Sequence, residues 1–198
     1  MRLILPFLLL WCTACSTLPQ AALDYHHQVR LPSLMAAPVL YRQQLLTMRR
    51  VGKSEPPHTL MMVLQASSSG VHLVGLTPLG IRLFRIDYDS HGLGSEALPA
   101  LDGMGKLPPG SQILADVMLC YWPIASWQPL LPVGWSLQDE GDQRLLRDEQ
   151  GKLVSEIHYQ VQGAYREPVR LWHHLFNYQL SLQTLATAEE PSATGAAP

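Results

Sequence analysis

The 198-residue sequence predicts a mainly β, α+β domain: one strongly curved antiparallel sheet, left as an incomplete barrel, with a helical insert covering an apolar cavity. Three features predict it. Two blocks of short strand-like runs, separated by turn residues, flank a single stretch with helical periodicity. The runs alternate apolar and polar residues, so each strand has one wet and one dry face. The links between runs are short, which favours antiparallel hairpins over crossovers.

In chain order, "SLMAAPVLYRQQLLTMRR" begins as a short helical turn, breaks at Pro38 and continues as a strand to Arg49. "HTLMMVLQA" (58–66), "VHLVGLT" (71–77) and "IRLFRIDYD" (81–89) follow as strands, and "SHGLGS" reads as a turn. The period of two puts Phe84, Ile86 and Tyr88 on one face. In "LPPGSQILADVMLCYWP" a helix begins with Ser111 as N-cap. Ile113, Leu114, Val117, Met118 and Tyr121 recur along it, and Pro123 stops it. A second short helical turn occupies "IASWQPLL". Strands resume in "WSLQD", "QRLLRDE", "LVSEIHYQV", "VRLWHHLF" and "YQLSLQTL", with "EQGK" as a hairpin turn. Ile157, Tyr159 and Val161 share a face, as do Tyr178, Leu180 and Leu182. From Thr187 the composition is small and polar, predicting a disordered tail over 187–198.

Composition narrows the function classes. Net charge is −2, with charged residues only 15% against about 25% in an average soluble protein. No strong field favours nucleic acid, and the low charge suits work close to lipid. "MRLILPFLLLWCTAC" joins a positive Arg2 to an apolar run too short to span a bilayer, as in a secretory signal. The ending "CTAC" resembles the lipobox of bacterial lipoproteins, which implies a signal over 1–14 and lipidation at Cys15. Residues 15–30 then form the lipidated N-terminus and tether, and 31–186 the folded domain. Ser16 stands where that resemblance would place an inner-membrane retention Asp, so it implies the outer membrane, facing the periplasm. Each buried methylene contributes about 0.8 kcal/mol, so two or three acyl chains such as palmitate anchor a protein durably. Cys120 alone would remain in the mature chain, so no intramolecular disulfide forms.

Lipobox, strands meeting at "GLTPLG", a mid-chain helical insert and a second strand block resemble LolB-like outer-membrane lipoproteins. More closely, "GLTPLGIRLF", "LADVMLCYWP", "LVSEIHY" and "NYQLSLQTL" are similar to an uncharacterised lipoprotein family (a domain of unknown function) of aryl polyene gene clusters. The resemblance implies a half β-barrel whose helices cover a cavity for acyl chains, and a protruding loop with an exposed leucine that acts on the membrane. It further implies lipid or lipoprotein cargo and a LolA-like periplasmic carrier as donor. The matching turn is Pro78-Leu79-Gly80. "CYWPIASWQPLL" and the His173-His174 pair depart from the LolB pattern, which bears on cargo.

The turn itself explains an outward leucine. Pro78 suits position i+1 of a type I turn, Leu79 is i+2, and Gly80 can take positive φ. Burying one leucine in lipid is worth about 1.5–3 kcal/mol, enough for reversible contact; packing on a neighbouring loop is the alternative. Cavity-lining candidates are Phe84, Ile86, Leu114, Met118, Trp122, Trp127, Trp135, Ile157, Tyr159, Tyr178 and Leu180, for which plain core packing is the competing account. Adjacent histidines in a strand point to opposite faces, so His173 and His174 do not chelate one ion together, and His26-His27 falls in the tether. Cys120 lies on a buried-looking helix, and Glu156 with His158 shares a strand face, as solvated pairs often do. The expectation is a non-enzyme without metal or cofactor that binds acyl or polyenyl chains and helps insert lipidated cargo into the outer membrane. A structural scaffold lipoprotein is the alternative.

Overall fold

A computed structural model describes residues 30–97, 108–162 and 165–188. The signal, Cys15, the tether as far as residue 29 and the tail from residue 189 lie outside these.

Five strands come first: β1 (Leu40–Arg50), β2 (His58–Ser67), β3 (Gly70–Leu76), β4 (Arg82–Asp89) and β5 (Gly92–Ala97). Helices α1 (Gly110–Tyr121) and α2 (Ile124–Trp127) follow. The second block is β6 (Ser136–Glu140), β7 (Gln143–Arg147), β8 (Leu153–Gln162), β9 (Tyr165–His173) and β10 (Tyr178–Ala188). All ten strands form one sheet in the order β5-β4-β3-β2-β1-β10-β9-β8-β7-β6. Every neighbour is antiparallel. The two blocks are therefore meanders joined by the β1–β10 pairing, and β5 and β6 are left as open edges. This is the mainly β, unclosed curved sheet with a helical insert that the alternation predicts.

Antiparallel pairing sorts the loops into two ends. The turns after β1, β3, β7 and β9 share one end, called here the turn end, where Arg50 pairs with Tyr178. At the opposite end Tyr41 pairs with Ala188, so β1 begins and β10 finishes side by side there.

The core fills the concave face. Met62, Leu64, Leu73 and Ile86 from β2–β4 meet Leu146, Ile157 and Leu171 from β7–β9, all at most 1% exposed. Helix α1 lies over them, and its residues Leu114 to Cys120 are buried without a break. Trp122 takes an extended conformation (ψ 148°), as the residue before Pro123 must, and this ends the helix.

Four expectations change. Gly92–Ala97 is a strand where a turn was expected. Its residues carry little strand propensity, and it is held by pairing with β4 along its whole length. The N-cap of α1 is Pro109, not Ser111: the N–H groups of Gln112 and Ile113 both donate to the Pro109 carbonyl, at 2.9 and 3.1 Å. Strand β9 starts at Tyr165, before the apolar run at Val169, because it continues the hairpin with β8. Val161, expected inward with Ile157 and Tyr159, is 55% exposed beyond the edge of the core.

One glycine sets the close approach of two strands. A Cβ on Gly75 would lie 2.2 Å from the Phe84 ring, which crosses it from β4. A register shift beside this pair brings both Leu83 and Phe84 into the interior. Gly75→Ala should therefore destabilise the fold by about 1–3 kcal/mol in urea titration, as overpacking does. Phe84→Leu in the same chain should recover part of that loss; strict additivity of the two would contradict the contact.

Candidate apolar cavity under helix α1

Between α1 and the concave face is a cavity of about 70 Å³. Its sheet side is Leu46, Met48, Leu60, Met62, Phe84, Leu171, Leu180 and Leu182, and its helix side is Ile113, Val117 and Tyr121. Asp116, Cys120 and Tyr178 also reach it. From the β1 bulge at Gln43/Gln44 to the turn end, even-numbered residues of β1, β2 and β10 point inward because antiparallel register keeps their pleats in phase.

The candidates read from the sequence divide. Phe84, Tyr178 and Leu180 line this cavity, and Ile86 lines a smaller recess beside β5. Leu114, Met118, Trp122, Trp127, Ile157 and Tyr159 belong to the closed core instead. Trp135 sits at the turn end, where its indole N–H donates to Glu149 at 2.9 Å. Cys120 is 5% exposed, and burial pushes its thiol up, with Asp116 adding to the effect. His173 points inward and is fully buried, whereas His174 faces outward and stacks on Trp172 at 4.5 Å. Glu156 receives His158 at 3.1 Å on that outer face. Among the described residues no group of three His, Cys, Asp or Glu is placed to hold a metal ion.

Residues not singled out in the sequence position the helix. Arg144 on β7 donates to the Leu119 and Trp122 carbonyls at 2.8 and 2.7 Å, and forms a two-pronged pair with Asp139 at 2.9 and 3.1 Å. Tyr159 donates to the Cys120 carbonyl at 2.9 Å. The orphan carbonyls of the helix end are thus satisfied by the sheet. Arg166 adds a second cation to Asp139 at 2.8 Å and stacks on Tyr159 at 3.8 Å. Nearby, Tyr121 donates to Glu167, which also binds Arg42 and Thr184.

The other half of α1 is held differently. Gln112 donates to the Tyr178 hydroxyl at 3.0 Å, and that hydroxyl donates to Asp116. Pro109 offers the helix start no side-chain cap. The C-terminal half is therefore pinned by charge, while the N-terminal half rests on apolar contact and this short polar chain.

The Pro78-Leu79-Gly80 turn is built as its residues require. The Gly80 N–H donates to the Thr77 carbonyl at 2.9 Å, and Gly80 has φ +83°. Leu79 is 89% exposed. Ile81, Val51 and Leu175 are also exposed, on the same and the next two hairpin turns of the turn end, and Val133 is exposed at that end too. Met35, Val39, Leu93, Val161 and Leu185 are exposed towards the opposite end.

Removing Arg144 should loosen the pinned half. Arg144→Met leaves two carbonyls and a carboxylate short of a partner and should cost about 2–4 kcal/mol of stability by denaturant titration. Asp139 supplies a pH test. Burial works against its charge, but the hydrogen bonds and charges of Arg144 and Arg166 outweigh it and hold the carboxyl below its ordinary value. Its contribution is complete above the unfolded value of about 3.9 and disappears as pH falls through the lower folded value. The stability gap between wild type and Asp139→Asn should therefore close only in acid.

Two solved structures are similar in outline. One is a LolA superfamily protein from Nitrosomonas europaea, at 9% identity and a TM-score of 0.43, covering 87% of this chain and 94% of that one. The other is a DUF1329 family protein from Desulfovibrio piger, at 8% identity and a TM-score of 0.40, covering 84% and 90%. Among curated proteins no significant sequence match is found. A family profile described as "Protein of unknown function (DUF3261)" matches residues 41–186, from the second residue of β1 to Ala186, two residues before the end of β10, and the chain belongs to that family.

Proposed function

We propose that this protein is a periplasm-facing, outer-membrane lipoprotein with a LolB-like half-barrel. It binds acyl or polyenyl chains without covalent chemistry and helps pass lipidated cargo, a lipoprotein or an aryl polyene lipid, into the outer membrane. A LolA-like carrier is the donor this reading calls for. The observation that carries it is the apolar cavity under α1, lined by aliphatic side chains from both strand blocks.

The cavity is small. At about 70 Å³ it is roughly half the engineered cavity that admits benzene in another protein, so a long chain enters only if the helix moves. The uneven hold on α1 supplies a hinge: the end fixed by Arg144 and Tyr159 stays, and the end starting at Pro109 lifts. That moving end faces the turn end, where Leu79 projects. Transfer then follows affinity differences between donor, cavity and bilayer, with no bond made or broken.

The tether is long enough for this orientation. Strand β1 spans about 36 Å, and the fifteen steps from Cys15 to Arg30 reach at most about 50 Å. A lipid on Cys15 therefore allows the turn end to meet the same bilayer, although β1 begins at the opposite end.

The closeness of the core supports a second reading, a scaffold lipoprotein of an envelope lipid-biosynthesis complex. Uptake of a fluorescent fatty acid by protein made without residues 1–15, with organic extraction to find co-purified lipid, separates the two. Binding is expected, and Ile113→Trp, which fills the cavity, should weaken it roughly tenfold. No uptake and no extracted lipid would leave the scaffold. Leu79→Glu should preserve uptake yet weaken vesicle association about ten- to hundredfold, the worth of one leucine in lipid. Mass spectrometry of the native amino terminus should find Cys15 acylated.

A further inference from the structure

Two of the turns at the turn end are joined to each other. The Val51 N–H, in the turn after β1, donates to the Asn177 carbonyl, in the turn after β9, at 2.8 Å. Asn177 reaches that position with φ +53°, the one non-glycine in the left-handed region among the described residues, where asparagine is tolerated. The β9–β10 turn is also held from below. The Phe176 N–H donates to Nδ1 of the fully buried His173 at 3.3 Å, and the two rings lie 4.5 Å apart. Phe176 is thereby packed against the core, while Leu175 and the Val51 of the joined turn stay outside it, 42% and 41% exposed. Exposed Arg49 and Lys53 flank Val51 in the chain, and Arg50 is already engaged within the protein. The first acid after them is Glu55, and residues 173–178 hold no carboxylate.

We propose that these joined turns are a docking surface for an anionic bilayer, with Val51 and Leu175 among the acyl chains and Arg49 and Lys53 at the lipid phosphates. The proposal rests on the reading above that the turn end meets the membrane, and it names the lipid class met there. Apolar tips beside cations, with no acid between Arg49 and Lys53, complement a surface that is negative outside and greasy within. The hydrogen bond between the turns presents both side chains already ordered, so contact costs little conformational entropy. The Pro78-Leu79-Gly80 turn belongs to the next hairpin along the sheet, two strands or about 10 Å away. Leu79 and the joined pair are therefore separate footholds on one rim. Each cation close to an anionic surface strengthens association about fivefold, an effect that salt screens.

The test replaces Leu175 by dansylalanine in the full chain, reconstituted into vesicles whose doxyl-labelled lipid quenches the dye only on contact with the bilayer. The ratio of docked to undocked dye should be roughly 25-fold higher with phosphatidylglycerol present than in pure phosphatidylcholine, two cations at about fivefold each. Arg49→Gln combined with Lys53→Gln should remove most of that difference, and Val51→Ser should lower docking in both lipids. Dansylalanine in place of Leu185, exposed at the opposite end, should stay unquenched. An equal response in the two lipids, or one that the double substitution leaves unchanged, would overturn the docking surface. So would a dye at position 175 that stays unquenched, or that shifts only as protein density rises, which would assign the turns to a second copy of the chain. Quenching at position 79 in that case would leave the membrane-facing reading standing, and silence at both positions would overturn both.

Discussion

The structure depends on how a helix end is satisfied inside the hollow of a sheet. Helix α1 is buried along most of its length, so the carbonyls of its last turn have no water to accept from. Arg144 and Tyr159 supply those partners from β7 and β8. Arg144 is itself buried and needs a counter-charge, which Asp139 provides from β6 and Arg166 helps to hold. One edge of the sheet is thereby committed to the insert. The position of α1, and so the space beneath it, follows from that commitment.

The same arrangement makes the interior uneven. Around the helix C-terminus, Trp122 and Trp127 are fully buried, and Arg144, Asp139 and Arg166 form a charged network with the Leu119 and Trp122 carbonyls. Around the helix N-terminus the contacts are largely aliphatic, with Gly110 packed closely on Ser95 and a polar chain running through Gln112, Tyr178 and Asp116. A void persists where side chains from two separate meanders fill the space under one helix. The β1–β10 pairing brings the halves together and also places Arg50 beside Tyr178.

The proposed role uses this contrast between a fixed and a lightly held end. Apolar ligands need a site whose walls close in their absence, since an empty greasy cavity costs the fold dispersion contacts. A small cavity under a liftable helix half meets that requirement. Leu79, on a turn that projects it into solvent, lies at the end where such a helix would open.

Much of this was legible in the sequence because it follows from neighbours along the chain. Alternation determined the strands, Pro123 the end of α1, Pro78 and Gly80 the turn that exposes Leu79, and the period of two the opposite faces of His173 and His174. Strand β5 was not legible, since "GLGSEA" has no strand propensity and is held by β4. Nor was the Arg144–Asp139 pair, which depends on the β6–β7 register. The division of aromatic candidates into cavity wall and closed core was decided only by tertiary structure. A period says which face a side chain takes, but whether it meets another side chain or a gap depends on the distance between elements far apart in the chain.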